Sequence, residues 1–191
     1  MFELFENLHM RERMLFKIYA QPLWRVAAEI LLAALIWAVL SATFGKRRPK
    51  LWRMLNLCLL AVSAFLIVYL TILKRNAGEH ELILRPWYFL QEGKIQPEIY
   101  RSLLMNVLMF TPFGLSLGAG FSSGMKPWRC VLITLLIAIA FSVAVETTQY
   151  FAGLGRAETD DVGANALGAF IGALHVPIGA ALRKGFEKSK E

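Results

Sequence analysis

Hydrophobic residues along this chain gather into long runs instead of alternating with polar ones at the period of a strand or of an amphipathic helix. Five runs reach the length a bilayer demands: Leu23 to Phe44, Leu51 to Leu73, Leu103 to Phe121, Val131 to Phe151 and Val162 to Leu182. A helix rises about 1.5 Å per residue, so about 20 residues cross a hydrocarbon layer of roughly 30 Å. Inside that layer a helix is the one open-chain form that satisfies its own backbone. The pattern predicts an all-α, polytopic membrane protein, a bundle of five transmembrane helices.

Ahead of the first run, Phe2, Leu4, Phe5, Leu8, Leu15 and Ile18 mix with Glu6, Arg11, Glu12, Arg13 and Lys17 as far as Pro22. This is the pattern of an N-terminal interfacial amphipathic helix. The first run is read as an uncleaved span, because Ser41-Ala42-Thr43 makes a poor cleavage site and the leader would be unusually long. The chain then divides into an interfacial segment (1–22), two spans (23–81), a three-span unit (82–182) and a basic tail (183–191). Glycine dilutes the third and fifth runs. Gly114 with Gly118, and Gly168 with Gly172, are four residues apart, which puts small residues on one helix face and lets backbones approach. These two runs are expected in the interior of the bundle.

Composition sharpens the picture. With 57% hydrophobic and 18% charged residues and a mean hydropathy of +0.49, disorder and coiled coil are excluded. Cys58 and Cys130 both lie in apolar runs and act as small hydrophobes, not as a disulfide framework or zinc motif. A net charge of +7 would suggest nucleic acid in a soluble protein, but here the bases fill the gaps between apolar runs, where lipid headgroups lie. No nucleic-acid partner is expected; membrane lipids are. The loops 45–50 and 122–129 and the tail 183–191 hold ten Lys and Arg in 23 residues, against nine in 61 at the opposite end. That density places the N-terminus outside and the C-terminus in the cytoplasm.

Ionisable and amide groups inside a span are costly, roughly 2.5 to 3.5 kcal/mol for a carboxylate near its centre, so each calls for a reason. Glu146 lies inside the fourth run, with Gln149 three residues on and no cation within a turn. Asp160 and Asp161 open the fifth run, and Asp161, Asn165, Gly168, Gly172, His175 and Gly179 follow one helical stripe. Asp161 suits a helix start, where a carboxylate meets unpaired amides. Asn106 stands alone among apolar residues in the third run, and Thr111-Pro112 frees a backbone carbonyl and biases Thr111 away from the helix. The connection from Ala152 to Asp160 is short, so Glu146, Gln149, Arg156, Asp160, Asp161 and Asn165 are expected to converge near the outer interface, with Asn106 joining from the third run. Arg156 can pair with Glu146 or an aspartate, or offer its donor fork to an external phosphate or carboxylate. The cluster reads equally as a structural polar clasp and as a ligand or reactive site. Gly114-Leu-Ser-Leu-Gly118 fits a nucleophile elbow only without the strand such an elbow needs, and His80-Glu81 lacks the second histidine of a zinc protease. No metal site or cofactor is expected.

The blocks Asn106-Val-Leu-Met-Phe-Thr-Pro-Phe-Gly114, Glu146-Thr-Thr-Gln149, Gly155-Arg-Ala-Glu-Thr-Asp-Asp161 and Asn165-Ala-Leu-Gly168 resemble, in this order, the signature blocks of the VanZ-like family. The resemblance covers roughly residues 82 to 182. Leu84-Arg-Pro-Trp-Tyr-Phe89 is similar to a short Pro-aromatic motif of that family but departs from its usual Asn-Leu-x-Pro-Phe form. The resemblance implies a multi-pass protein of the bacterial cytoplasmic membrane, in a family named for a member that gives low-level resistance to the lipoglycopeptide teicoplanin. It implies no reaction. Two functions from different classes fit these residues. One is a non-enzymatic module acting at the outer face on a cell-envelope lipid, a peptidoglycan precursor or a glycopeptide. The other is an intramembrane enzyme that acts on a lipid-linked phosphate using Glu146 and Asp160 or Asp161. Ion or proton translocation with Glu146 as carrier lacks polar stations across the inner half. The sequence does not fix the oligomeric state.

Overall fold

The computed structural model describes residues 23–75, 78, 80–92, 98–122 and 124–188. The amphipathic segment expected over residues 1–22 lies outside the described residues. The elements in order are α1 (Leu23–Arg47), α2 (Pro49–Val68) continued by a π-helical turn (Tyr69–Leu73), β1 (His80–Ile83), α3 (Tyr88–Glu92), α4 (Glu98–Phe121), α5 (Pro127–Phe151), β2 (Gly155–Glu158), α6 (Thr159–Ala173) and α7 (His175–Lys188).

Five helical stretches are long and apolar enough to cross a membrane: Trp24–Gly45, Pro49–Leu73, Ile99–Phe121, Pro127–Phe151 and Thr159–Gly185. They are the five expected runs. Pro49 and Pro127 sit in the first turns of α2 and α5, where a missing N–H costs nothing. The outward faces carry Leu31, Leu35, Met54, Phe65, Leu132 and Leu136, all exposed. Apolar surface on this scale is tolerable against acyl chains, not against water.

The third span is the hub, with α1, α2, α5, α6 and α7 all packing on α4. Half of its apolar window is buried, and 44% of the fifth span's, against 17% of the second's. Glycine makes this possible. A Cβ on Gly168 would collide with the Val107 carbonyl, one on Gly172 with the Thr111 carbonyl, and one on Gly114 with the backbone of Ala169. The helices α4 and α6 therefore touch backbone to backbone. Phe110, Phe113, Ala169, Ile67, Ala138 and Val145 fill the core around this seam.

Two expectations about the spans change. The third helix runs unbroken through Pro112, and Thr111 stays helical, its hydroxyl donating to the Val107 carbonyl at 2.7 Å. Close packing against Gly172 holds Thr111 in the helix despite the proline that follows it. The fifth span, read as one stripe, is two helices that join at Leu174, three residues before Pro177. Proline has no N–H to give the Ala173 carbonyl, so the ladder is interrupted there. His175, buried at the joint, makes a 2.8 Å hydrogen bond to the Gly172 carbonyl.

At one end of the bundle the loops form a small parallel sheet. The pairing of β1 with β2 sets His80 opposite Gly155 and Ile83 opposite Glu158. The chain reaches β2 through a tight helix end, in which the Leu154 amide donates to the Gln149 carbonyl and the Gly153 amide to that of Tyr150. Gly153, at φ +61°, lies against the His80 ring, so it needs both its conformation and its lack of a side chain.

Candidate functional site

The sheet end of the bundle collects most of the buried and half-buried charge. Glu146, in the last turns of α5, is buried, and its Oε2 accepts the amide of Glu158 at 3.1 Å. Glu158 is the N-cap of α6 and makes no side-chain cap of its own. A carboxylate from the neighbouring helix thus satisfies the entry to the fifth span. Asp160, in the first turn of α6, turns to another element: its two oxygens accept the amides of Trp87 at 2.8 Å and Phe89 at 3.0 Å. These bonds hold the start of α3 and keep Trp87 in the left-handed region at φ 66°, which a bulky residue adopts only under constraint. The side-chain cap foreseen for Asp161 is therefore replaced by one cross-element bond, from the Glu158 amide to Glu146, while Asp160 serves the start of α3. Asp161 itself is met by the Asn106 side chain from α4.

Arg156, half-exposed on β2, pairs with Glu158 at 3.2 Å and with Glu81 on β1 at 3.9 Å. Of the partners considered for it, neither Glu146 nor an aspartate is the one it takes. Arg75, just past the π-helical turn, donates to the Leu154 carbonyl at 3.4 Å and lies near enough to Glu146, Glu158 and Asp161 to act on all three by charge. Glu158 lies on the sheet outside the spans, and its carboxyl is raised above the ordinary glutamate value. Partial burial is the largest cause; Arg156 pulls it down, and Asp160 and Glu81 push it up.

Between these groups lies a polar cavity of about 140 Å³, walled by Arg75, Ser102, Arg156, Glu158, Asp160 and Asp161, with Phe89, Ile99 and Leu103 at its rim. It adjoins an apolar groove of about 730 Å³ between α1, α3, α4 and α6, and the two share Phe89, Leu103 and Asp160. Trp24, Trp87 and Leu167 line the groove and are exposed, so it opens on the outside of the bundle.

Arg156, Asp160 and Asp161 thus line one cavity, and Asn106 lies close to Asp161 without lining it. The other three candidates do not reach it. Glu146 borders a separate apolar groove of about 460 Å³ on the far side of β2. Gln149 is buried and donates to the Thr71 carbonyl at 2.8 Å, tying the π-helical end of the second span to the fourth. Asn165 is buried one turn below Asp161 and donates to Ser142 at 2.9 Å, leaving its Oδ1 without a partner. Arg75, Ser102 and Glu158 belong to the site and were not singled out by sequence. A base directly after an apolar run reads as an interfacial anchor, and four-residue strands leave no periodic trace. Among the described residues no group of three His, Cys, Asp or Glu is placed to hold a metal ion.

Fold and site define a five-span membrane protein whose polar cavity sits at one end of the bundle beside an apolar groove. The chain belongs to the VanZ/LLP1 family, whose model matches residues 30–180 and so takes in the second span and most of the first along with the blocks on which the resemblance rested. No curated protein and no solved structure matches it.

Proposed function

We propose that this protein acts at the outer face of the bacterial cytoplasmic membrane by binding an amphiphile of the cell envelope, a lipid or a lipid-linked peptidoglycan precursor. The acyl or isoprenoid part lies along the apolar groove and the head enters the polar cavity. One observation carries the reading: the two spaces adjoin and share Phe89, Leu103 and Asp160. A head that offers anionic oxygens to Arg75 or Arg156 and a hydrogen-bond donor to Asp161 matches the walls. Teicoplanin, a lipoglycopeptide, has the same two-part character, and resistance to it would follow from competition for, or altered access to, that ligand. The outer face is assigned by the higher density of Lys and Arg at the opposite end, which also places the N-terminus outside. Catalysis by Glu146 with Asp160 or Asp161 has less support, since Glu146 and Asp160 are engaged with backbone amides.

The test replaces Asp161 and Arg75 by alanine in protein shown to reach the membrane. Losing hydrogen bonds to charged groups, about 1.5 to 3 kcal/mol each, predicts at least about a tenfold weaker binding of lipid-linked precursor in nanodiscs, and higher teicoplanin susceptibility in cells. Unchanged binding and susceptibility in a stably inserted variant would overturn the reading.

A further inference from the structure

The opposite end of the bundle holds a second cavity, of about 710 Å³, between the ends of α1, α2, α4 and α7. Arg53 from α2 and Arg183 from α7 stand in its wall, and among the described residues no carboxylate does. The adjoining helix ends and loops add Arg47, Arg48, Lys50, Lys126 and Arg129, so the local field favours an anion.

The uncharged polar lining has a definite sense. Asn56 is buried, and its Nδ2 donates to the Trp52 carbonyl at 2.6 Å, which fixes the orientation of the amide. Its Oδ1 has no partner. Ser116 and Ser122 already donate their hydroxyl protons to backbone carbonyls of α4, so what remains for the cavity is acceptor capacity. A buried acceptor without a donor is costly, and a ligand hydroxyl would satisfy it. An ammonium would donate as well, but it would sit beside two guanidinium groups. The rest of the wall, with Leu57, Leu60, Leu117 and Phe121, is apolar, and Leu57 is exposed on the outer surface of the bundle.

We propose that this cavity binds a glycerol phosphate group, the phosphate on Arg53 and Arg183 and a glycerol hydroxyl donating to Asn56. Two sources carry that chemistry: the head of phosphatidylglycerol, with its acyl chains along the apolar wall, and a soluble glycerol phosphate ester. The site is independent of the polar cavity at the sheet end.

Full-length protein in detergent is followed by native mass spectrometry and thermal unfolding with phosphatidylglycerol, phosphatidylcholine, phosphatidic acid or soluble glycerol 3-phosphate. Phosphatidylglycerol is expected to bind and stabilise more than phosphatidylcholine. The double variant Arg53→Gln/Arg183→Gln loses that difference, and Arg85→Gln, which removes an exposed cation at the other end, keeps it. Asn56→Leu is expected to remove the advantage of phosphatidylglycerol over phosphatidic acid, which lacks the second glycerol. If glycerol 3-phosphate displaces the lipid with the same arginine dependence, the source is soluble; if it has no effect, the source is the lipid. Equal binding of the two phospholipids by the wild type, or a preference that survives in the double arginine variant, would overturn the proposal.

Discussion

Asp160 and Glu146 are both carboxylates in or beside apolar surroundings, and Asp160 with both oxygens and Glu146 with its Oε2 accept backbone amides of other elements. In low dielectric such charge-assisted bonds are stronger than in water, and they fix the loops that carry the site. Glu158 differs, because its side chain faces the cavity and the sheet-end charges and its carboxyl is pushed up from the ordinary 4.5. Between the unfolded and the raised folded value, the native protein holds more protons than the unfolded chain, so this residue's contribution to stability grows on acidification and is lost as pH rises through the folded value. The unfolding midpoint in detergent should accordingly show a component that increases as pH falls from neutral toward the range just above 4.5, and Glu158→Gln should flatten it. A wild-type profile identical to that of the variant would contradict this assignment. The exposure of Arg156 keeps the effect modest.

At the scale of elements, the seam between α4 and α6 depends on glycine at fixed places. Gly172→Ala would drive its Cβ into the Thr111 carbonyl and the Leu115 amide, backbone atoms that cannot rotate aside. Overpacking of this kind costs about 1 to 3 kcal/mol, read as a lower unfolding midpoint in mixed micelles. Gly163→Ala on the same helix meets nothing within 4 Å and should be neutral or slightly stabilising. The seam was legible because four-residue glycine spacing has one structural meaning in an apolar run. The continuity of α4 through Pro112 was not, since it depends on a neighbour's packing that no local pattern records. Likewise the bond from Gln149 to the Thr71 carbonyl uses a carbonyl left open because the second span stops at Leu73.

For the whole molecule, length and hydropathy were enough to place five spans, because the bilayer sets a thickness that any sequence must match. The polar end was legible only in part. Asp160, Asp161 and Arg156 stand out as charges beside apolar runs, whereas the sheet that brings Arg156 to Glu81 joins segments far apart in sequence. The proposed orientation can be measured directly. In a background with Cys58 and Cys130 replaced by alanine, Leu84→Cys and Arg85→Cys should react with a membrane-impermeant maleimide on intact cells. Arg48→Cys and Gly124→Cys should react only after permeabilisation; the reverse pattern would invert the assignment.

The pairing of His80 with Gly155 sets an order on biogenesis. The first strand leaves the translocon after two spans, with its edge open, and its partner is made some 75 residues later, after two further spans have been inserted. A nascent chain halted before residue 155 can therefore be threaded into the bilayer and still lack the polar cavity, so translation or insertion that stalls between the fourth and fifth spans would yield a lodged protein with an incomplete sheet end.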